Sequence, residues 1–591
     1  MKISLSRRVT AVVAALGLAL VAVPATVPAA NADDNACGLG ETCDGVLSGP
    51  LGASAFKIKV PENFNGTVLL YSKQYSAGVP IPAGIGVPLG YAGSPYYSPM
   101  TIPGLGPGYA ANGSAHVAPS VEVESALGLG PGYAANGSAH VAPSEGVESA
   151  LLNQGYALAG TGLARQGWAV AEGVEAGENL IKYINGGGIE GVEQIMAWGK
   201  SMGAETTQAL IQNNPGKLAG SLPMCMASAE FFGETYMTAV YVWKTLIDPS
   251  LQGYNYAPGQ AGYAQAMGDM QKMLTTLGAV ASGQATVSSA GYPIALSNLL
   301  AGLLAGLPTV SSTYDGVTVN PAVATLGTAG ASAGGYSPLS SGQSAAVAML
   351  QNIGGILGTG ITLQYDLEQR ARTIGSIPAG ESAAYVGNVG VNYNKLRSPE
   401  QYGEFADTFA TAGPGVLDAM MAALAAGERV KANPVAAKIV AGLPSASAAY
   451  NNKPTVALAG TYDLRVPGVT GDFVEGMANS KKGKKADKKG MLKAVAYYSV
   501  PPADGWTSFE PGAKSPSAAL SALKLGGSGV GSCPFTTDQT VAAVKAMEAL
   551  AKADSAKGVT AAKRLGYKVP GINRDRQYRP LPPKDPAATV G

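Results

Sequence analysis

Histidine is nearly missing from this chain: 591 residues hold two, His116 and His140. Charge is scarce as well. Lys and Arg total 40 against 39 Asp and Glu, together 13% of residues, which excludes a global field able to recruit nucleic acid or anionic lipid. Nine phenylalanines against 80 glycines describe a chain packed with small side chains. No later apolar run is long and unbroken enough for a stable membrane anchor; 295–308 is interrupted by Ser, Asn and Gly and reads as a buried helix. No phosphate loop, paired-cysteine zinc site or calcium loop is present, so neither a metal nor a cofactor is implied.

The first 32 residues carry Lys2, Arg7 and Arg8, then an apolar stretch over 9–23, then a small-residue exit ending Ala30-Asn31-Ala32. This predicts a signal peptide over 1–32 and a secreted, extracellular product. Cys37, Cys43, Cys225 and Cys533 are the only cysteines. Export makes disulfides the expectation, and four cysteines allow three pairings. Cys37 with Cys43 is local, which leaves Cys225 with Cys533.

The remaining length predicts a core domain interrupted by a large insertion. Residues 55–73 alternate apolar and polar around Pro61, Asn63 and Asn65-Gly66 and predict a hairpin ending in a strand over 67–72. A tandem copy follows: 104–127 recurs as 128–151 with only Val121/Glu145 and Glu122/Gly146 differing, and reads as an extended surface loop. Strands over 156–160, 194–198 and 218–224 alternate with helices over 173–184 and 202–213, the pattern of a parallel sheet with crossover helices. The expected division is core over 33–225, a helical lid over 226–449, core again over 450–556, and an extended tail over 557–591. The lysine-rich run 481–489 reads as a solvated loop.

Gly199-Lys200-Ser201-Met202-Gly203 stands between an apolar strand and an amphipathic helix. That context suits a nucleophile elbow, in which a tight turn strains the serine and the flanking glycines let neighbours approach. The Met202 amide would then face the developing oxyanion. A second match, Gly330-Ala331-Ser332-Ala333-Gly334, has neither strand nor helix around it and is set aside.

With Val60-Pro61-Glu62-Asn63-Phe64-Asn65-Gly66, Gly155-Tyr156-Ala157-Leu158-Ala159-Gly160, Gly167-Trp168-Ala169-Val170, Leu222-Pro223-Met224-Cys225 and Gly460-Thr461-Tyr462-Asp463-Leu464-Arg465-Val466-Pro467, the elbow resembles secreted bacterial α/β-hydrolases. The likeness spans 55–75, 150–230 and 450–550, but not the insertion. It implies an α/β fold: an α/β-hydrolase core, a mostly parallel sheet with flanking helices, carrying a large mainly helical lid. It also makes Ser201 the nucleophile and Asp463 the acid, and it implies that a Cys225–Cys533 bridge holds the serine and base loops together.

Two departures from that family stand out. Its members follow the first parallel strand with Tyr-Ser-His-Gly, part of the oxyanion hole, where this chain reads Tyr71-Ser72-Lys73-Gln74. They place the base in a late Gly-His-Cys turn, where this chain reads Gly531-Ser532-Cys533-Pro534. A serine hydroxyl is no general base near neutral pH, and both histidines precede the elbow although the fold's order is Ser, then Asp or Glu, then His. The reading is therefore a catalytically impaired homologue with a binding or structural role. Its partner would be a small-molecule ester or peptide, or an extracellular polymer or protein. The alternative is an active serine hydrolase with an unconventional base, either a loop histidine or a buried lysine, Lys73 or Lys200.

Overall fold

The computed structural model describes residues 36–75, 139–164, 167–281, 287–306, 312–314, 317–319, 341–396, 409–410, 412–460, 469–494, 498–500, 533, 535–570 and 572. Two strands, β1 (Thr42–Gly49) and β2 (Gly52–Lys59), form an antiparallel hairpin whose register runs from Gly49↔Gly52 to Thr42↔Lys59. The parallel part of the sheet then comprises β3 (Thr67–Ser72), β4 (Ala157–Thr161), β5 (Gln194–Lys200) and β6 (Gly220–Met224). Every residue of β3, β4 and β6 is buried, as strands covered on both faces must be. A ribbon of β7 (Ser312–Tyr314) and β8 (Val317–Val319) lies apart, and β9 (Leu458–Gly460) and β10 (Tyr498–Val500) complete the order β1-β2-β4-β3-β5-β6-β9-β10.

Helices cover both faces. On one, α2 (Val170–Tyr183) packs with α3 (Met202–Asn213); on the other, α1 (Glu145–Leu152) packs with α12 (Thr537–Lys552). The small residues decide how closely they approach. A Cβ on Gly177 would lie 2.7 Å from Leu210 of α3, and one on Gly220 would lie 3.0 Å from Met547 of α12. The fold is thus an α/β-hydrolase core.

Between β6 and β9 the chain forms a helical layer: α4 (Ala229–Leu246), α5 (Gly259–Ala281), α6 (Ile294–Leu304), α7 (Ser341–Gly375), α8 (Val416–Ala426) and α9 (Pro434–Ala441). All of α6 except Ala295 is buried, which matches the buried helix read over 295–308 as far as Leu304; 307–308 lie outside the described residues. Helix α7 is bonded to the core along one face at a spacing of four residues, the repeat that aligns side chains on a helix. Tyr75 Oη meets Thr362 Oγ1 at 3.0 Å, the Trp168 amide donates to Asp366 at 2.9 Å, and Arg370 donates to the Trp168 carbonyl at 2.8 Å and to Glu172 at 3.1 Å.

Four sequence expectations need correction. The strands over 55–73 do not pair with each other: β4 lies between β2 and β3, because the connection through Pro61 to Gly66 is long enough to step over a strand. The end of the second repeat copy is not a surface loop. Residues 145–151 form most of α1, capped by Ser144, with Val147 and Leu151 buried against the sheet. The lysine run is helical over α11 (Lys481–Asp487), capped by Ser480 and following α10 (Val469–Asn479). The tail begins with α13 (Ala556–Lys563), which buries Val559 and Ala562. Its apolar pair at a spacing of three supplies a helical contact face.

Candidate active site

The turn after β5 is the strained point of the core. Ser201 has φ 57° and ψ −122°, a conformation most L-residues avoid and one that persists only where the surroundings enforce it. The enforcement is visible on all sides. A Cβ on Gly199 would strike the Gly203 carbonyl and Thr207, and one on Gly203 would strike the Ser72 carbonyl and lie 2.6 Å from that of Lys73. Only glycine at both positions lets β3, β5 and α3 converge this tightly. The Ser201 amide donates to the Met224 carbonyl at 2.9 Å, and its carbonyl accepts from Ala204 at 2.9 Å and Ala227 at 3.3 Å. The Ser201 side chain does not cap α3. Among the described residues the Met202 amide donates to no acceptor, so it stays available at the helix N-terminus.

Both disulfides are formed. Cys37 joins Cys43, and Cys225 joins Cys533 with their Cα atoms 5.7 Å apart. Cys225 follows the strand that grips Ser201, its amide donates to Leu458 of β9 at 2.8 Å, and both bridged cysteines have positive φ, 41° and 58°. The bridge therefore anchors residue 533 beside the elbow. Asp463 and Ser532, like His116 and Ser332, lie outside the described residues. Cys37, Glu41 and Cys43 are the one grouping of potential metal ligands among the described residues, and both sulfurs are spent in the disulfide.

The residues after β3 depart from ordinary loop chemistry. Lys73 is 4% exposed, and burial lowers its ammonium to about 8. No described carboxylate forms an ion pair with it. Gln74 beside it is half-buried, as is Lys200 at the end of β5. Burial, with Lys73 and Lys57 adding positive charge, lowers His140 to about 4, so its imidazole is neutral. The carbonyl of His140 lies over Gly160 of β4, where any Cβ would collide with it. Gly160 pairs with Tyr71 and Tyr71 with Trp198, which places the His140 backbone on the α1/α12 face at the carboxyl ends of the strands. The sequence placed Lys73 with Gln74 at the oxyanion turn and named Lys73 and His140 as bases only as alternatives. What it could not display was their burial; a Gly at 160, needed for bare backbone contact, was the one local sign.

No family model matches this chain, and no curated protein does. Among solved structures it is similar to an arylesterase (14% identity, TM-score 0.18, covering 33% of this chain and 48% of that one), so it spans about half of that enzyme. It is similar to the rice cell wall degrading esterase LipA from Xanthomonas oryzae in a ligand-bound form (11% identity, TM-score 0.27, covering 79% and 84%). An esterase from Aspergillus oryzae is a third (12% identity, TM-score 0.27, covering 78% and 72%). Likeness at this level carries no argument about chemistry; the site's own geometry must.

Proposed function

We propose that this chain is a secreted hydrolase-fold protein with a working nucleophile turn and an impaired triad. It engages an ester or peptide, or an extracellular polymer or protein, without efficient turnover at neutral pH. One observation carries the reading: the bridge from Cys225 ties residue 533 to the elbow, and the residue before it, where an imidazole belongs, is Ser532. Without a base a serine hydroxyl is a poor nucleophile, and a triad stripped of its base retains only binding and oxyanion stabilisation. Asp463 would orient an imidazole if one stood at 532. The helical layer, bonded to the core through Tyr75 and Trp168, would act as the lid over the cleft.

The test is turnover of activated acyl esters at pH 7. Wild type is expected to lie barely above background. Ser532→His should raise the rate about 10²-fold, the lower end of what a positioned base contributes, and Ser201→Ala in that background should cancel the gain. Efficient wild-type turnover at pH 7, lost in Ser201→Ala, would defeat the reading. The second reading, an active serine hydrolase with an unconventional base, is favoured by the retained strain at Ser201, which costs stability and persists where it is used.

A further inference from the structure

We propose that Lys73 is the general base of Ser201, so that the protein is an alkaline acyl-ester hydrolase built on a serine–lysine pair. The inference rests on Ser201 being a nucleophile, as proposed above, and would account for the weak neutral-pH turnover expected there.

The placement comes from the backbone. Lys73 directly follows β3, whose Ser72 pairs with Gly199 two residues before the serine. Its carbonyl crowds Gly203, two residues after the serine. The chain thus brings Lys73 against both arms of the elbow, within reach of a lysine's four-carbon stem. Its chemistry is unusual for a structural residue. A buried ammonium with no carboxylate partner among the described residues is costly, and protein interiors keep one where the neutral amine is useful.

Burial is what shifts Lys73. His140, before α1, is neutral; Lys57 of β2 adds positive charge to that region. With Lys73 at about 8, about a tenth of the molecules carry the free amine at pH 7 and most do at pH 9.

In the reaction the neutral Lys73 amine takes the Ser201 Oγ proton as Oγ bonds to the ester carbonyl carbon. The carbonyl π pair moves onto oxygen beside the Met202 amide. Collapse breaks the bond to the leaving alkoxide, which takes the proton from the Lys73 ammonium and departs as an alcohol. Water then attacks the acyl-Ser201 carbonyl while the amine accepts its proton. The second collapse frees the carboxylic acid and returns the proton to Oγ. The sum is ester and water to acid and alcohol.

The experiment is hydrolysis of p-nitrophenyl butyrate by the full chain from pH 6 to 10, with fluorophosphonate labelling of Ser201 alongside. The wild-type rate should climb close to tenfold per pH unit and level off above about pH 8. Lys73→Met and Lys73→Arg should each lose at least about 100-fold at pH 9, and Ser201→Ala should lose all of it. All four native cysteines are in disulfides, so Lys73→Cys offers a single thiol. Alkylation with bromoethylamine would rebuild an amine there and restore the rate, a rescue that a folding defect would not show. Retention of the rate in a folded Lys73→Met overturns the proposal. A profile already flat from pH 6 and lost in His140→Ala overturns it in favour of His140. Absence of any Ser201-dependent rate or label at every pH fails the nucleophile reading itself, which is a separate result.

Discussion

The helical layer and the core both bury ionisable groups, and they treat them differently. In the layer, Glu368 accepts from the Asn255 and Tyr256 amides at 2.6 and 2.7 Å and from Gln364 at 2.8 Å. Asp269 accepts from the Gln252 and Gly253 amides at 3.0 and 2.6 Å and from Tyr256 Oη at 3.1 Å. Arg372 donates to Asn255 Oδ1 and to the carbonyls of Tyr256, Pro378 and Glu381. These groups tie loops to helices. Lys73 in the core is as deeply buried and shows no such bonds among the described residues. A buried charge with several fixed partners is architecture; one without them is a cost that stability alone does not explain.

The comparison is broken most directly at Glu368. Glu368→Ala leaves two backbone amides and the Gln364 side chain without their acceptor, and each orphaned donor costs about 1–3 kcal/mol. We expect a loss of about 3 kcal/mol or more, read as a lowered urea midpoint, with ester chemistry at Ser201 untouched where the fold survives. A loss under about 1 kcal/mol would mean that these bonds do not hold the layer together. The pH dependence sharpens the point. Burial raises Glu368 to about 7, so the folded state holds a proton that the unfolded state releases from its ordinary value upward. This contribution is full below pH 4.5 and is lost as pH rises to about 7.

Lys73→Met should act in the opposite direction. The folded state binds the Lys73 proton less well than the unfolded chain, so between about pH 8 and the ordinary lysine value near 10.5 the wild type gains stability with rising pH. Methionine removes the cost of burying the amine's charge and leaves the volume filled. The variant should be more stable than wild type at pH 7 by on the order of 1–3 kcal/mol, the gap narrowing from pH 8 to 10. Denaturant melts at pH 7 and pH 10 measure it. A variant less stable at pH 7 would place Lys73 among the structural groups.

The sequence made the elbow legible because its signal is local: apolar strand, two glycines around a serine, amphipathic helix. The parallel sheet with crossover helices followed from the same alternation of strand and helix. What escaped it depends on partners far along the chain. Nothing near Lys73 in the sequence announces its burial. The pairing of β2 with β4 was hidden for a similar reason, because alternation over 55–73 marks strands without saying which neighbour each will choose. The repeat misled because 139–151, rich in Ala and Ser, lacks a long apolar stripe; Val147 and Leu151, four apart, were enough to dock a short helix.

That docked helix supplies the smallest expected effect and the finest form of the contrast between architecture and surplus. The two copies differ at two positions, and both fall in the first turn of α1. Glu145 puts a negative charge at the helix N-terminus, where it is favourable by about 0.3–1 kcal/mol. Gly146 lies where even a Cβ would stand 3.2 Å from Thr537 Oγ1 of α12. The first copy carries Val121 and Glu122 instead, shifting the first-turn charge by one residue and crowding Thr537, though Glu regains about 0.5–1 kcal/mol of helix propensity over Gly. Either deletion leaves one copy running into residue 152. Removing 104–127 keeps the docked sequence and should leave the melting midpoint unchanged. Removing 128–151 forces the first copy into the α1 site and should cost about 1 kcal/mol through the crowding at position 146, with the fold intact. The double substitution Glu145→Val and Gly146→Glu in the shorter chain should reproduce the deficit. Equal stabilities for the two deletions would show that the copies are interchangeable, and that the two differences do not determine which one docks.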